Sequence, residues 1–89
     1  MNFTLKQLRY VEAAGRLGSI AKAAVEVSIS QSSITAAIDS LEATLENSLF
    51  VRTPAKGIYP TSAGREALQL IRTFLNEARQ FESELQSQG

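Results

Sequence analysis

The chain has 89 residues, 44% of them apolar, and equal numbers of basic and acidic side chains, so its formal net charge is zero. This length allows one domain with one hydrophobic core, and the apolar fraction excludes wholesale disorder. No apolar run reaches the roughly 20 residues that cross a bilayer, and the first residues lack the pattern of a secretory signal, so we expect a cytoplasmic protein without a membrane partner.

Histidine and cysteine are both absent. The usual nitrogen and sulfur ligands of metals are therefore missing, as is the commonest general base. We expect no metal, no cofactor and no enzymatic activity. The lack of cysteine also excludes disulfides, in agreement with a reducing cytoplasm.

The neutral total hides an uneven distribution of charge. Residues 39–46 carry three acidic side chains and no basic one, whereas residues 47–72 carry four basic side chains and one acidic. Residues 1–38 are weakly basic as well. A phosphate-binding face is compatible with this distribution, but charge alone does not show one.

Three helices are predicted in the first half of the chain, each preceded by a hydroxyl side chain that can cap it. The first begins near Thr4 and ends near residue 16. Ser19 precedes a short helix over residues 20–27, and Ser30 precedes a third helix that ends near residues 47–48. The third helix carries an apolar stripe at steps of three and four: Ile34, Ile38, Leu41 and Leu45.

Two short runs of β-prone residues follow, 49–51 and 58–60. They flank a loop that contains Pro54 and Gly57, and this arrangement predicts a small hairpin. Pro60, at the end of the second run, is suited to an edge strand.

A last helix is predicted from the cap Thr61 to about residue 86. Its apolar residues alternate at steps of four and three, a heptad pattern that predicts pairing with a second helix. This face could instead cover its own domain, but the aromatic residues beyond residue 73 lie outside a globule of this size and would be an aggregation hazard if unpaired. Leu68, Leu70 and Leu75 lie off the pattern and are expected to pack on the domain. The predicted dimer contacts are Ala67, Ile71, Phe74, Ala78, Phe81 and Leu85.

The order of a short helix, a tight turn, a longer helix and a hairpin is that of a winged helix-turn-helix. We therefore predict a mainly α fold, with three helices and a two-stranded wing over residues 1–60 and a long C-terminal dimerisation helix over residues 61–89. Small side chains of the second helix, such as Ala24, allow the third helix to cross closely. The outer flank of the third helix is short and almost uncharged, as entry into the major groove requires: Gln31, Ser32, Thr35, Ala36 and Asp39.

Short motifs are distributed over nearly the whole chain: Leu8-Arg9-Tyr10, Gly18-Ser19-Ile20, Lys22-Ala23-Ala24, Ile29-Ser30-Gln31, Ile34-Thr35, Ile38, Leu41-Glu42, Leu45, Leu49-Phe50-Val51-Arg52 and Thr61-Ser62-Ala63-Gly64. With these motifs the chain resembles the N-terminal domain of LysR-type transcriptional regulators. The resemblance implies a bacterial transcription factor that binds double-stranded DNA as a homodimer, or as a tetramer in the full-length protein. It also implies that a small-molecule effector binds only to a C-terminal domain beyond these residues.

Five positions, at three places in the chain, depart from the family pattern. The family commonly has Pro-Ala where this chain has Ser32-Ser33, and often Arg-Gln where it has Ala36-Ala37. Loss of an arginine that contacts a base costs about 1–3 kcal/mol of discrimination, so we expect an atypical affinity or sequence preference. Pro60 stands where the family usually has leucine.

Each candidate residue also has a purely structural interpretation. The polar side chains of the third helix could be solvated surface positions, Ser30 could act only as a cap, and the basic side chains of the wing could be ordinary surface charges. Within this motif we favour contact with DNA, with residues 30–46 in the major groove and residues 52–57 on the backbone or in the minor groove. The predicted DNA-binding residues are Lys22, Ser30, Gln31, Ser32, Ser33, Thr35, Ala36, Arg52, Thr53 and Lys56.

A second function remains open from the sequence: a helical dimerisation module that uses the same scaffold without touching DNA. The zero net charge, Ala36 and Ala37 favour it. A mobility-shift assay separates the two functions, because the dimerisation module alone predicts no retardation of DNA at low salt.

Overall fold

Six elements follow one another in a computed structural model that describes residues 2–88. They are α1 (Leu5–Leu17), α2 (Ile20–Val27), α3 (Gln31–Leu45), β1 (Phe50–Thr53), β2 (Gly57–Pro60) and α4 (Ser62–Ser87). The two strands form an antiparallel sheet in which Val51 pairs with Tyr59. The predicted fold class is confirmed: a mainly α winged helix-turn-helix followed by a long helix.

Each helix begins directly after a hydroxyl side chain that caps it. The hydroxyl oxygens of Thr4, Ser19, Ser30 and Thr61 each accept a hydrogen bond from the backbone N–H three residues later, at 3.0–3.1 Å. The Gln7 side chain also accepts from the backbone N–H of Thr4, which completes a capping box. Because the first N–H groups of a helix have no partner inside it, these bonds fix the helix starts, and all four predicted starts are confirmed.

The end of α3 and the limits of both strands differ from the sequence prediction. α3 ends at Leu45 and not at residues 47–48, because Glu46 adopts the left-handed conformation with a φ of 53°. That conformation is uncommon for a residue other than glycine, and the turn-forming residues Asn47 and Ser48 come only after it. The strands are longer than predicted, so the turn of the wing is reduced to residues 54–56. Arg52 and Thr53 therefore lie within β1.

The three short helices and the wing enclose one apolar core. Its largest fully buried side chains lie on α1 and α3: Val11, Ile34, Ile38 and Leu41. α2 contributes the buried Ala23 and Ala24, whose small size allows neighbouring helices to approach closely, as the sequence predicted. The wing adds Phe50 and Ile58 from its inner face.

The start of α4 is fastened to the base of the wing. The Thr61 hydroxyl donates a hydrogen bond to the Ser48 carbonyl at 2.7 Å, and the Thr61 N–H donates to the Leu49 carbonyl at 2.9 Å. A Cβ atom on Gly64 would overlap the same Leu49 carbonyl. Glycine at this position is therefore required by the close contact between the helix and the backbone.

The first half of α4 packs against the core, and the second half extends away from it. Leu75 is the last buried residue, and every described side chain after it is exposed except that of Ala78. With 26 residues the helix is about 39 Å long, at about 1.5 Å per residue. Within residues 2–88, no helix combines the length and the apolar character needed to cross a membrane.

The apolar residues of α4 form two rows and not the single seam that the sequence predicted. Ile71, predicted as a dimer contact, lies in an inner row with Leu68 and Leu75 and is only 8% exposed. Leu70, predicted to pack on the domain, is 72% exposed. The reason is helical geometry, since residues two apart do not share a face and Leu70 cannot follow Leu68 into the core. An outer row remains uncovered: Leu70, Phe74, Phe81 and Leu85.

A cluster of ion pairs joins α1, α2 and α4. Arg16 of α1 pairs with Glu26 of α2 and with Glu12, and Arg72 of α4 lies 3.7 Å from Glu12. The hydrogen bond from Arg16 lowers the pKa of Glu26, and the carboxylates of Glu26 and Glu12 raise the pKa of Arg16. Because Arg16 and Glu26 are both more than 40% exposed, solvent screens the cluster, and its main effect is to orient the helices.

Candidate nucleic-acid interface

α3 turns one apolar flank to the core and one polar flank to solvent. Its buried residues are Ile34, Ala37, Ile38 and Leu41. The structure places the opposite flank outward, as the sequence predicted. This flank carries five of the predicted DNA-binding residues, of which Thr35 is half-buried and the others are exposed: Gln31, Ser32, Ser33, Thr35 and Ala36.

Ala37 does not belong to the outward flank. It is buried, and its carbonyl accepts a hydrogen bond from Nε2 of Gln7 at 3.1 Å. Its small side chain is therefore explained by packing against α1, and it argues neither for nor against contact with DNA. Of the two alanines that favoured a function without DNA, only Ala36 faces solvent.

The hydroxyl groups of three serines at the start of α3 form hydrogen bonds with one another. The Ser30 oxygen lies 3.0 Å from the Ser32 hydroxyl and 2.9 Å from the Ser33 hydroxyl, in addition to capping the helix. The capping role considered for Ser30 is thus present. All three side chains remain exposed, beside backbone N–H groups that carry the partial positive charge of a helix N-terminus.

The wing stands beside the start of α3. The Ile58 N–H donates to the Gly18 carbonyl at 3.1 Å, which ties β2 to the turn between α1 and α2. A shallow cleft between α2 and the wing is lined by Gln31 and Thr53, among others, so the structure brings part of α3 and part of the wing to one surface. Lys22 is exposed on α2 but does not line this cleft.

Lys56 is the basic residue at the tip of the wing. Its N–H donates to the Thr53 carbonyl at 3.1 Å and closes a turn in which Ala55 has a φ of 63°. The Lys56 side chain is exposed, and it takes part in none of the ion pairs found within residues 2–88. It is therefore free to meet an external anion.

Arg52, predicted as a DNA contact at the wing tip, lies instead within β1 and points toward α3. Its Nη2 atom is 2.5 Å from Oδ1 of Asp39 and 3.3 Å from Oε1 of Glu42. The other carboxylate oxygen of Glu42 accepts hydrogen bonds from the N–H groups of Leu49, at 2.7 Å, and Phe50, at 3.2 Å. Glu42 and Arg52 thus connect α3 to the base of the wing.

Asp39 and Glu42 acquire roles that the sequence did not predict. From the sequence, Asp39 was predicted to lie on the outward flank, and Glu42 was noted only within the Leu41-Glu42 motif. Their common partner Arg52 is 13 and 10 residues away, so no local pattern reveals the contact. One signal was available: these are the two charged residues of α3, and both are acidic, so a basic partner from elsewhere was to be expected.

Comparison with known proteins identifies the family. The family model described as "Bacterial regulatory helix-turn-helix protein, lysR family" matches residues 5–65, from α1 to the first turn of α4. The chain belongs to the LysR family. The resemblance found in the sequence motifs is confirmed.

Relatives of this LysR-type chain are regulators. It is 36% identical over 87 residues to the "RuBisCO operon transcriptional regulator" of Allochromatium vinosum, a match that covers 98% of this chain and 28% of that protein. The chain spans about a quarter of the length of the curated relatives it matches.

Two similar solved structures carry DNA in their names. The "CbnR_DBD-DNA complex" superposes with a TM-score of 0.87 at 32% identity, over 96% of this chain and 97% of that one. The "BenM_DBD/benA site 1 DNA Complex" gives a TM-score of 0.88 at 26% identity, over 98% and 100%. The chain is a LysR-type helix-turn-helix DNA-binding domain of a transcriptional regulator.

Proposed function

We propose that this domain binds duplex DNA in a sequence-specific manner as a homodimer, with α3 in the major groove. One observation carries the proposal: the flank bearing Gln31, Thr35 and Ala36 has short side chains with Asp39 as its one charged residue, and it faces outward directly after a tight turn. A major groove about 12 Å wide admits such a helix. Glutamine and threonine can then hydrogen-bond to base edges, and alanine can contact a thymine methyl group.

Contacts with the DNA backbone would come from the edges of this surface. The serine-capped start of α3 offers N–H groups and hydroxyls to a phosphate, and Lys56 at the wing tip offers a positive charge. Thr53 lines the cleft beside Gln31 and would contact the backbone or the minor groove. Lys22 adds a more distant phosphate contact. Such contacts position the protein, whereas base contacts determine the sequence it prefers.

The outer row of α4 supports a dimer. Its apolar side chains are 42–72% exposed, which is unfavourable in water unless a second apolar surface covers them. We infer that the outer row pairs with the same row of a second copy, together with Ala67 before Leu70 and Ala78 between Phe74 and Phe81. Residues 61–89 then serve as the dimerisation helix, whose first half also completes the core of the DNA-binding domain over residues 1–60. A tetramer, and control by a small-molecule effector, would involve parts of a longer regulator.

The proposed mode of action is binding alone, without a cofactor or a catalysed reaction, on chromosomal DNA in the cytoplasm. The family and the DNA complexes of similar domains support it. Selection of binding sites from a random duplex pool tests it, followed by titration of the selected duplex at several salt concentrations. We expect a selected sequence related by twofold symmetry and an affinity that falls steeply with salt. Failure to retard any duplex at low salt would support the dimerisation module and reject the proposal.

A further inference from the structure

Both charged residues of α3 are acidic, and both bind the same arginine. Asp39 and Glu42 face Arg52 at 2.5 Å and 3.3 Å, so two carboxylates surround one guanidinium. The two acids differ in their other contacts. Glu42 is held by two backbone N–H groups at the base of the wing and is 19% exposed, whereas Asp39 is 57% exposed and its described contact is with Arg52. Glu42 is thus fixed by contacts within the fold, whereas the carboxylate of Asp39 can be replaced without disturbing other contacts.

Asp39 lies on the flank that the proposed function assigns to DNA. It follows Thr35 by four residues and Ala36 by three, spacings that place these side chains on one face of a helix. A carboxylate on this face approaches the phosphate backbone, which is unfavourable unless a cation neutralises it. In the structure Arg52 supplies that cation from the neighbouring strand.

The same guanidinium is suited to a phosphate. Arginine uses one set of N–H donors for carboxylates and for phosphates, so a contact with Asp39 competes with a contact with DNA. We propose, on the basis of the DNA-binding mode above, that Asp39 limits the affinity of the domain by keeping Arg52 off the phosphate backbone. Asp39 is therefore a positioning residue that acts through Arg52, and Arg52 can contact a phosphate only when Asp39 does not hold it.

The salt dependence of DNA binding tests this inference, because each phosphate contact contributes about 0.9 to the slope of log affinity against log salt concentration. Four proteins are compared on the selected duplex: the wild type, Asp39→Asn, Arg52→Ala and the double variant. We expect Asp39→Asn to steepen the slope by about 0.9 for each subunit bound. Arg52→Ala should leave the wild-type slope unchanged but lower the slope of Asp39→Asn by about 0.9 for each subunit bound. When the salt concentration rises from about 50 mM to about 200 mM, each such contact lowers the affinity by a further factor of roughly 3.5.

A matched control separates the loss of the ion pair from the loss of a negative charge. Glu46 follows the last residue of α3, is exposed, and takes part in none of the ion pairs within residues 2–88. Glu46→Gln removes the same charge, and Arg52→Ala in that background should still leave the slope unchanged. Because the Asp39–Arg52 pair is exposed and Glu42 keeps its two backbone hydrogen bonds without Arg52, all variants should fold, which their melting temperatures verify.

Two results overturn the inference. If Arg52→Ala lowers the slope equally with and without Asp39, Arg52 already contacts a phosphate in the wild type. If it lowers the slope in neither background, Arg52 never reaches the DNA. Failure of the proposed function itself looks different, since the wild-type protein would then bind no duplex at any salt concentration.

Discussion

The two ends of the molecule expose side chains of opposite character. At one end, the outward flank of α3 and the tip of the wing present Gln31, Thr35 and Lys56, which are small or polar. At the other end, α4 presents aromatic and aliphatic side chains such as Phe74 and Phe81, which are 42% and 61% exposed. The core is complete without either set, so folding explains neither. The difference supports the two partners of different chemistry that we propose, DNA for the polar surface and a second apolar helix for the other.

The sharpest test of this contrast is a charge at the apolar end. Phe81→Asp should convert the dimer to a monomer, because a carboxylate cannot be buried between two apolar helices without a large desolvation cost. DNA affinity should fall by about a hundredfold or more as the two domains no longer bind together. Analytical sedimentation measures the first effect and titration of the selected duplex the second.

Ser83→Asp is the matched control for that variant. It adds the same charge two residues away, on the exposed opposite side of α4, and should leave the dimer intact. If the Phe81→Asp protein still sediments as a dimer, the outer row of α4 does not form the dimer contact.

The inner row of the same helix should respond in the opposite way. Leu75→Ala leaves a cavity where the side chain is 3% exposed, and we expect it to lower the free energy of unfolding by about 2–5 kcal/mol. Sedimentation below the melting transition should still show a dimer, since Leu75 faces its own domain. Unchanged stability in chemical denaturation would contradict the division of α4 into two rows.

At the polar end, Thr35→Ala should change which sequences are bound more than how tightly DNA is bound overall. Loss of a good base contact costs about 1–3 kcal/mol of discrimination at one position of the site. Repeated site selection with the variant shows the change. Thr44→Ala removes an exposed hydroxyl near the far end of α3 and should return the wild-type sequence. The same relaxation of sequence in both variants would argue against a role of Thr35 in reading bases.

The smallest effect is expected at the wing tip. Lys56→Ala should reduce the salt slope by about 0.9 for each subunit and weaken binding to all sequences alike. Lys6→Ala, at an exposed position on α1, serves as the control and should leave the slope unchanged. A preference for different bases after Lys56→Ala would show that the wing reads sequence and does not merely contact the backbone.

Local signals in the sequence were sufficient to predict most of the fold. A cap is a contact between residues three apart, so Thr4, Ser19, Ser30 and Thr61 marked the helix starts without any knowledge of packing. The end of α3 was predicted too late because the left-handed residue is Glu46, one position before the asparagine that favours this conformation.

The candidate site was predictable where it depends on helical periodicity and not where it depends on contacts between distant residues. The apolar stripe of α3 correctly placed Gln31 and Thr35 on the outward flank. The partners of Arg52 are on another element, and its position in β1 follows from a strand longer than its apolar run. Leu70 was misplaced because the heptad pattern alone does not tell which side of α4 meets the core.

The tight joint at Thr61 and Gly64 has a mechanical consequence. With two hydrogen bonds to the residues before β1 and no space for a Cβ atom, α4 cannot swivel freely relative to the wing. Each protomer then behaves as a rigid lever arm, and over 26 residues a tilt of roughly 5° displaces its far end by about 3 Å. In the proposed dimer, the angle at which the two α4 helices cross would set the distance between half-sites along the duplex, so small changes of angle would alter which operator spacings can be spanned.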